Sequence, residues 1–273
     1  MPNQQTKAER REAAREKARK LQELEEKRAK RNKLITIIVI VVAIALVGVA
    51  IWSIVANGSD DEEDAMRQEY DPVAVQVEPV TIEGADVPTG FSVLGEDAEH
   101  SENAQRVEIY FDYMCIHCNN LEQWNGGDLN EITAQGDAEI FYYPVAIMNN
   151  DISVYGAATF QYIAENSPEH LMAYHKNLFD ITDAYLYNRE AVRPDWDSVK
   201  QAARDAGVPD DMVDSLESEV DLEWVNAANQ QFSANGFTGT PTVLLNGEVN
   251  YEYAENDFPA MLGLAEPEAD TEE

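Results

Sequence analysis

The sequence predicts an α/β domain with a helical block set among its strands, carried behind a single transmembrane helix. Three observations predict it. Leu34 to Ala56 run 23 residues without a charged side chain, which at about 1.5 Å per residue spans a hydrocarbon core of roughly 30 Å. Val107, Ile109 and Phe111 alternate with Glu108, Tyr110 and Asp112, the period of a half-buried strand. Residues 153 to about 218 carry apolar residues at helical spacing, and the chain then returns to strand character at Thr242.

Taken in order, residues 1–33 form a basic arm with 12 Lys and Arg against 6 Asp and Glu. It is too poor in apolar positions for a coiled coil, and reads as a solvated helix that sets topology and touches anionic lipid. The positive-inside rule places it in the cytoplasm. Residues 34–56 are the anchor; this apolar run is longer than a signal-peptide core and ends without a small-x-small cleavage site, so it is expected to stay uncleaved. The expectation is therefore a single-pass protein of the cell membrane whose domain lies outside the cytoplasm.

The exported part, residues 57–273, holds 7 Lys and Arg and 46 Asp and Glu, a formal charge of −39. Such a field repels nucleic acid and excludes it as a partner. It suits either work in high salt or solubility in the cell envelope, and the sequence leaves both open. Residues 57–72, with the acidic run at 59–64, read as a disordered tether. The domain proper occupies 73–265, with a helical insertion at about 151–220, and 266–273 form a disordered acidic tail.

Within the domain, Val73 to Ile82 suggest an opening strand, followed by a turn-rich stretch through Gly84, Pro88 and Gly90, with the core beginning at about Val107. The helix opened by the cysteines is expected to break or kink at Asn125-Gly126-Gly127, and Gly136 to end a second helical piece. Ala138 to Val145 form a strand. Ala157, Phe160, Ile163 and Ala164 form one stripe of the helical block and Leu171, Tyr174, Leu178 and Phe179 another. Pro194 and Pro209 punctuate further helices, and Leu222 to Ala234 form a helix ended by Gly236. Thr242 to Val249 are two strands joined at Asn246-Gly247, a pair suited to a tight hairpin turn. Phe258 to Ala265 close the domain as a short helix.

Chemistry centres on Cys115 and Cys118, the two cysteines of the chain, with Ile116 and His117 between them. At a helix N-terminus, unpaired N–H groups and the macrodipole favour negative charge, so Cys115 is expected to be an acidic, reactive thiol. Cys118, one turn on, can close a disulfide onto it. As a structural staple so short a loop contributes only about 2 kcal/mol, against about 4.7 for a hundred-residue loop. A zinc site lacks a convincing set of four ligands, and no dinucleotide or phosphate fingerprint is present. No metal or organic cofactor is expected.

Three stretches carry a resemblance: Phe111-Asp112-Tyr113-Met114-Cys115-Ile116-His117-Cys118, Ala173-Tyr174-His175-Lys176-Asn177-Leu178-Phe179, and Gly239-Thr240-Pro241-Thr242. With them, residues 73 to 265 resemble the membrane-anchored thiol–disulfide oxidoreductases of the DsbA/DsbG-like family, actinobacterial type, which have a thioredoxin-like fold with an inserted helical domain. The resemblance implies a cis Pro241 facing a redox-active Cys115–Cys118 disulfide, and a Thr240 backbone that pairs with extended substrate. It implies that His117 stabilises the Cys115 thiolate. Two departures stand out: Ile116 occupies the place of a common proline, and Ile109 that of a buried acid. Asp112 reads as a loop or helix-cap residue, with proton transfer as its alternative role, and His100, His170 and His175 as structural or exposed. The implied activity is donation of disulfides to exported cysteine-containing proteins, with a membrane redox partner for reoxidation. A reductase, an isomerase, or a tethered binding protein without turnover are the alternatives.

Overall fold

The structure, a computed structural model, describes residues 67–99, 104–188, 191–251, 253 and 258–264. The basic arm, the expected anchor at 34–56, most of the acidic tether, His100 and the tail lie outside these residues. No described helix is long and apolar enough to cross a membrane.

The described strands form one sheet. They are β1 (Val75–Val80), β2 (Gly90–Gly95), β3 (Gln105–Phe111), β4 (Ala138–Pro144), β5 (Thr242–Leu245) and β6 (Glu248–Asn250), in spatial order β1-β2-β4-β3-β5-β6. β3 and β4 are parallel, joined through helix α1 (Ile116–Gln135), and every other pairing is antiparallel. The helices α2 (Asp151–Asn166), α3 (Leu171–Tyr187), α4 (Trp196–Asp205) and α5 (Asp210–Glu219) follow β4. Then come α6 (Leu222–Ala234), the β5–β6 hairpin and α7 (Phe258–Leu262).

β3 lies inside the sheet, between β4 and β5, and is covered on both faces where a half-buried strand was expected. Val107, Ile109 and Phe111 enter the main core, with Phe91, Phe160 and Phe179. Tyr110 on the other face is also covered, stacked on Tyr143 at 4.4 Å and packed against Phe232. Alternation in sequence could not reveal that both faces are roofed. β2 was missed as well: behind the turns at Gly84 and Pro88, Phe91 and Val93 alternate into the core and pair with β1 and β4.

Helix α1 runs unbroken through Asn125-Gly126-Gly127, where a break or kink was expected. The preceding segment docks there. A Cβ on Gly126 would lie 2.8 Å from Tyr70 Cε1, and one on Gly127 2.7 Å from Gln68 Oε1. Gln68 donates to the Asp128 carboxylate and accepts from the Asp128 N–H, both at 3.0 Å. Tertiary contact thus offsets the roughly 1 kcal/mol helix penalty of each glycine. Gly136 ends the helix in the left-handed conformation (φ 71°), which suits a residue without Cβ. The Asn246-Gly247 turn has φ of 52° and 84°, as a tight hairpin of this type requires.

Candidate active site

β3 delivers the chain to the C-terminal end of the sheet, where Asp112 shapes the turn into α1. Its buried carboxylate accepts from the Met114 N–H (2.9 Å), the Met148 N–H (2.9 Å) and the Ser153 hydroxyl (2.6 Å). Burial pushes this carboxyl up, against the pull of those hydrogen bonds. Asp112 is therefore a loop residue that ties the cysteine turn to the end of β4 and the start of α2. Its N–H also points at Cys118 Sγ, 3.5 Å away.

Cys115 caps α1 with extended backbone (φ −88°, ψ 119°), so its sulfur stands ahead of the first helical turn. Both cysteines are free thiols, Cys115 5% and Cys118 1% exposed. The Cys115 thiol donates to the Thr240 carbonyl at 3.1 Å, across 125 residues of sequence. Thr240 precedes Pro241 through a cis bond. The structure thus brings Cys115, Cys118, Thr240 and Pro241 together.

The two thiols are driven apart in acidity. Cys115 falls from an ordinary 9.0 to about 6: a hydrogen bond from Cys118 is the largest influence, and burial opposes it. The Thr240 side chain and the N–H groups of Cys118 and His117 add to the lowering. Cys118 is pushed well up, by burial first and then by Cys115. The Thr240 hydroxyl is buried and favours the charged form of either sulfur.

His117 follows Cys115 by two residues at the start of α1. Its ring is exposed and lines a small cleft with Leu121, Trp124 and Tyr253, and it acts on Cys115 through its backbone N–H. Ile116 is also exposed, and Ile109 is buried in β3. Among the described residues no cluster of His, Cys, Asp or Glu is arranged to hold a metal ion.

Sequence reading missed a buried network behind the dithiol. Glu122, one turn after Cys118, meets His175 Nε2 at 3.4 Å, and Tyr113 meets His175 Nδ1 at 3.0 Å. The Tyr70 hydroxyl donates to the other Glu122 oxygen. Burial is the strongest single influence on Glu122 and raises it, but His175, Tyr70 and Lys176 together hold its carboxyl below the usual value. The His175 ring is enclosed by Phe111, Tyr142, Phe160 and Phe179. One network therefore joins the segment before β1, the cysteine turn, α1 and α3. The signal was present, since Glu122 lies four residues after Cys118 on the same helical face. Tyr253 was missed too: burial first, then the charge of Cys118 and Cys115, raises its phenol.

A family model described as thioredoxin matches residues 100–261. No curated protein matches the chain significantly. Among solved structures, the thiol-disulfide oxidoreductase MdbA of Actinomyces oris is 20% identical with a TM-score of 0.54, covering 59% of this chain and 79% of its own. MdbA of Corynebacterium diphtheriae is 16% identical (TM-score 0.52; 71% and 96% covered). BdbD of Bacillus subtilis is 17% identical (TM-score 0.50; 68% and 92%). At these identities the likeness speaks to the fold alone. The family match spans more than half of the 273 residues, and the chain belongs to the thioredoxin family.

Proposed function

We propose that this protein is an extracytoplasmic thiol–disulfide oxidoreductase that donates disulfides to exported proteins. The observation that carries the reading is the split acidity of the dithiol: an acidic Cys115 beside Thr240 and Pro241, and a buried Cys118 of raised pKa. The MdbA structures, described as thiol-disulfide oxidoreductases, share the fold.

The reaction starts from the Cys115–Cys118 disulfide. A substrate thiolate attacks Cys115 Sγ, and Cys118 leaves and takes up a proton, as its raised pKa favours. A second substrate thiolate then attacks the substrate sulfur of the mixed disulfide, and Cys115 leaves as a stable thiolate. Two substrate thiols are oxidised and one enzyme disulfide is reduced. A Cys115 pKa of about 6 leaves the thiol about 90% ionised at pH 7, against about 1% at 9.0. This stabilises the dithiol by about 1.4 kcal/mol and raises the potential by about 30 mV. Turnover requires reoxidation by a membrane redox partner, in keeping with an anchor at residues 34–56 and a cytoplasmic N-terminus.

The test is the equilibrium reduction potential against glutathione. A value near about −120 mV supports a disulfide donor, and one near about −270 mV a reductase. Without a reversible couple the chain is a binding protein on the same fold.

A further inference from the structure

Residues 67–73 belong to no helix or strand, yet they are bonded to the domain along their length. Two Arg67 nitrogens donate to the Asp183 carboxylate, at 2.7 and 3.3 Å. The Gln68 N–H donates to the Gln123 carbonyl (2.7 Å). The Val73 N–H donates to the Asn130 side chain (2.9 Å), whose amide donates in turn to the Asp71 carbonyl (3.2 Å). The segment is a strap laid across α1 and tied to α3. Its bed is Gly126 and Gly127, where a Cβ would meet Tyr70 or Gln68 at less than 3 Å. Glycine inside a helix is a standing loss of stability, and the strap is what these two admit.

Through Tyr70 the strap reaches the buried network behind the dithiol. The Tyr70 hydroxyl donates to Glu122 Oε1, and Lys176 Nζ stands 5.6 Å from the centre of its ring. Burial first and then the charge of Glu122 push this phenol well up, so it stays a donor. From Glu122 the contacts run to His175 Nε2 (3.4 Å) and from His175 Nδ1 to the Tyr113 hydroxyl (3.0 Å). Tyr113 lies two residues before Cys115, and Glu122 four after Cys118. The contacts therefore close a brace across the turn that carries both sulfurs, and His175 anchors it to α3.

The two redox states depend on that brace unequally. A disulfide is a covalent link across the turn and restrains it unaided. In the dithiol the turn is held by the hydrogen bonds of Asp112 and by the brace. Loosening the brace therefore weakens the dithiol more than the disulfide.

We propose that Tyr70 is a positioning residue for the dithiol: by holding Glu122 it tightens the brace, favours the reduced form, and makes the strap part of what sets the reduction potential. The proposal rests on the thiol–disulfide reading above. By reciprocity, the strap is bound more firmly in the dithiol than in the disulfide.

The test uses the full chain and Tyr70→Phe, which removes one oxygen and keeps the ring in its bed. In equilibrium with glutathione at pH 7, the variant should favour the disulfide over the dithiol by at least about threefold more than the unaltered chain, a potential about 14 mV lower. Complete loss of a hydrogen bond to a charged group sets the ceiling, roughly tenfold to a hundredfold. In a Glu122→Met background, where an apolar side chain of similar size replaces the carboxylate, Tyr70→Phe should shift the equilibrium by less than about twofold. Amide exchange at Gln68 should be faster in the disulfide protein than in the dithiol. A strap that served stability alone would lower both redox forms equally and leave the equilibrium where it was. If the unaltered chain equilibrates with glutathione but Tyr70→Phe changes the constant by less than about twofold, if the full shift survives in Glu122→Met, or if Gln68 exchanges alike in both forms, the positioning role is overturned. If the unaltered chain shows no reversible couple, the redox reading falls and the positioning role with it.

Discussion

Cys118→Ala tests the origin of the Cys115 acidity. The hydrogen bond from Cys118 is the largest influence holding Cys115 at about 6, ahead of Thr240 and the helix N–H groups. A hydrogen bond to a charged group is worth about 1.5–3 kcal/mol, and one pH unit corresponds to about 1.4 kcal/mol. Losing that donor raises the Cys115 midpoint by roughly 1–2 pH units, and alkylation by iodoacetamide at pH 7 slows by up to about tenfold. Cys118→Ser keeps an O–H donor and most of the acidity. The assay is the ultraviolet absorbance of the thiolate against pH, with the alkylation rate as a second readout. A midpoint still near 6 in Cys118→Ala would refute the assignment and leave the helix terminus as the cause. The same depressed pKa carries a stability signature in the dithiol protein. It contributes stability that is fully present above about 9 and lost as pH falls through about 6. Between those values Cys118 stays protonated, its pKa being raised, and does not blur the trend.

Other substitutions probe the surroundings. His175→Leu strands the buried Glu122 carboxylate and should lower stability by about 3–5 kcal/mol in urea unfolding; a loss below about 1 kcal/mol would remove the network from the account of the fold. Because Glu122 is held below its ordinary 4.5, its contribution is present above that pH and lost as pH falls through the folded value. Acid unfolding should therefore be steeper in the unaltered chain than in Glu122→Gln. Gly156→Ala places a Cβ 2.6 Å from Tyr113 Cδ2 and 2.9 Å from Leu178 Cδ2. The overpacking should cost about 1–3 kcal/mol, measured by thermal unfolding, and an unchanged Tm would show that Tyr113 moves freely. Asp112→Ala leaves buried donors on Met114 and Ser153, and a part-buried one on Met148, without their acceptor. A loss of about 3 kcal/mol is expected in the same assay, and a neutral result would deny Asp112 its role in the turn.

What was legible in the sequence was carried by neighbouring residues. The cysteine pair after an alternating strand, Thr240-Pro241 before a hairpin, and Asn246-Gly247 within it each announce their local geometry through side chains a few positions apart. Leu222–Ala234 was delimited for the same reason by Gly236 after it; its start is held by Asp221, which accepts from the Glu223 and Trp224 N–H groups. What was not legible depends on partners far along the chain. Gly126 and Gly127 read as a break because nothing near them shows Tyr70 and Gln68 arriving from more than fifty residues upstream. The pairing of Glu122 with His175, and the roofing of Tyr110 by Tyr143 and Phe232, are likewise tertiary facts. His117 shows the converse: its backbone, which any residue would supply, acts on the sulfur while its imidazole faces outward.

A formal −39 on residues 57–273 sets a difficulty for any thiolate, and distance resolves it. A single charge 10 Å away in water acts with about 0.4 kcal/mol, and salt at 0.1 M screens beyond roughly that distance. A hydrogen bond at contact is several times stronger. A carboxylate would win only from close by, and the two acids nearest to Cys115 in the chain are both engaged elsewhere. Asp112 is the nearest acid before Cys115 in the chain, and its carboxylate is turned into hydrogen bonds with Met114, Met148 and Ser153, where burial works against its charge. Glu122, the nearest after it, is held by His175 and Tyr70. The engagement of Asp112 and Glu122 by their own partners is therefore as much a condition of the Cys115 thiolate as the hydrogen bonds that stabilise it.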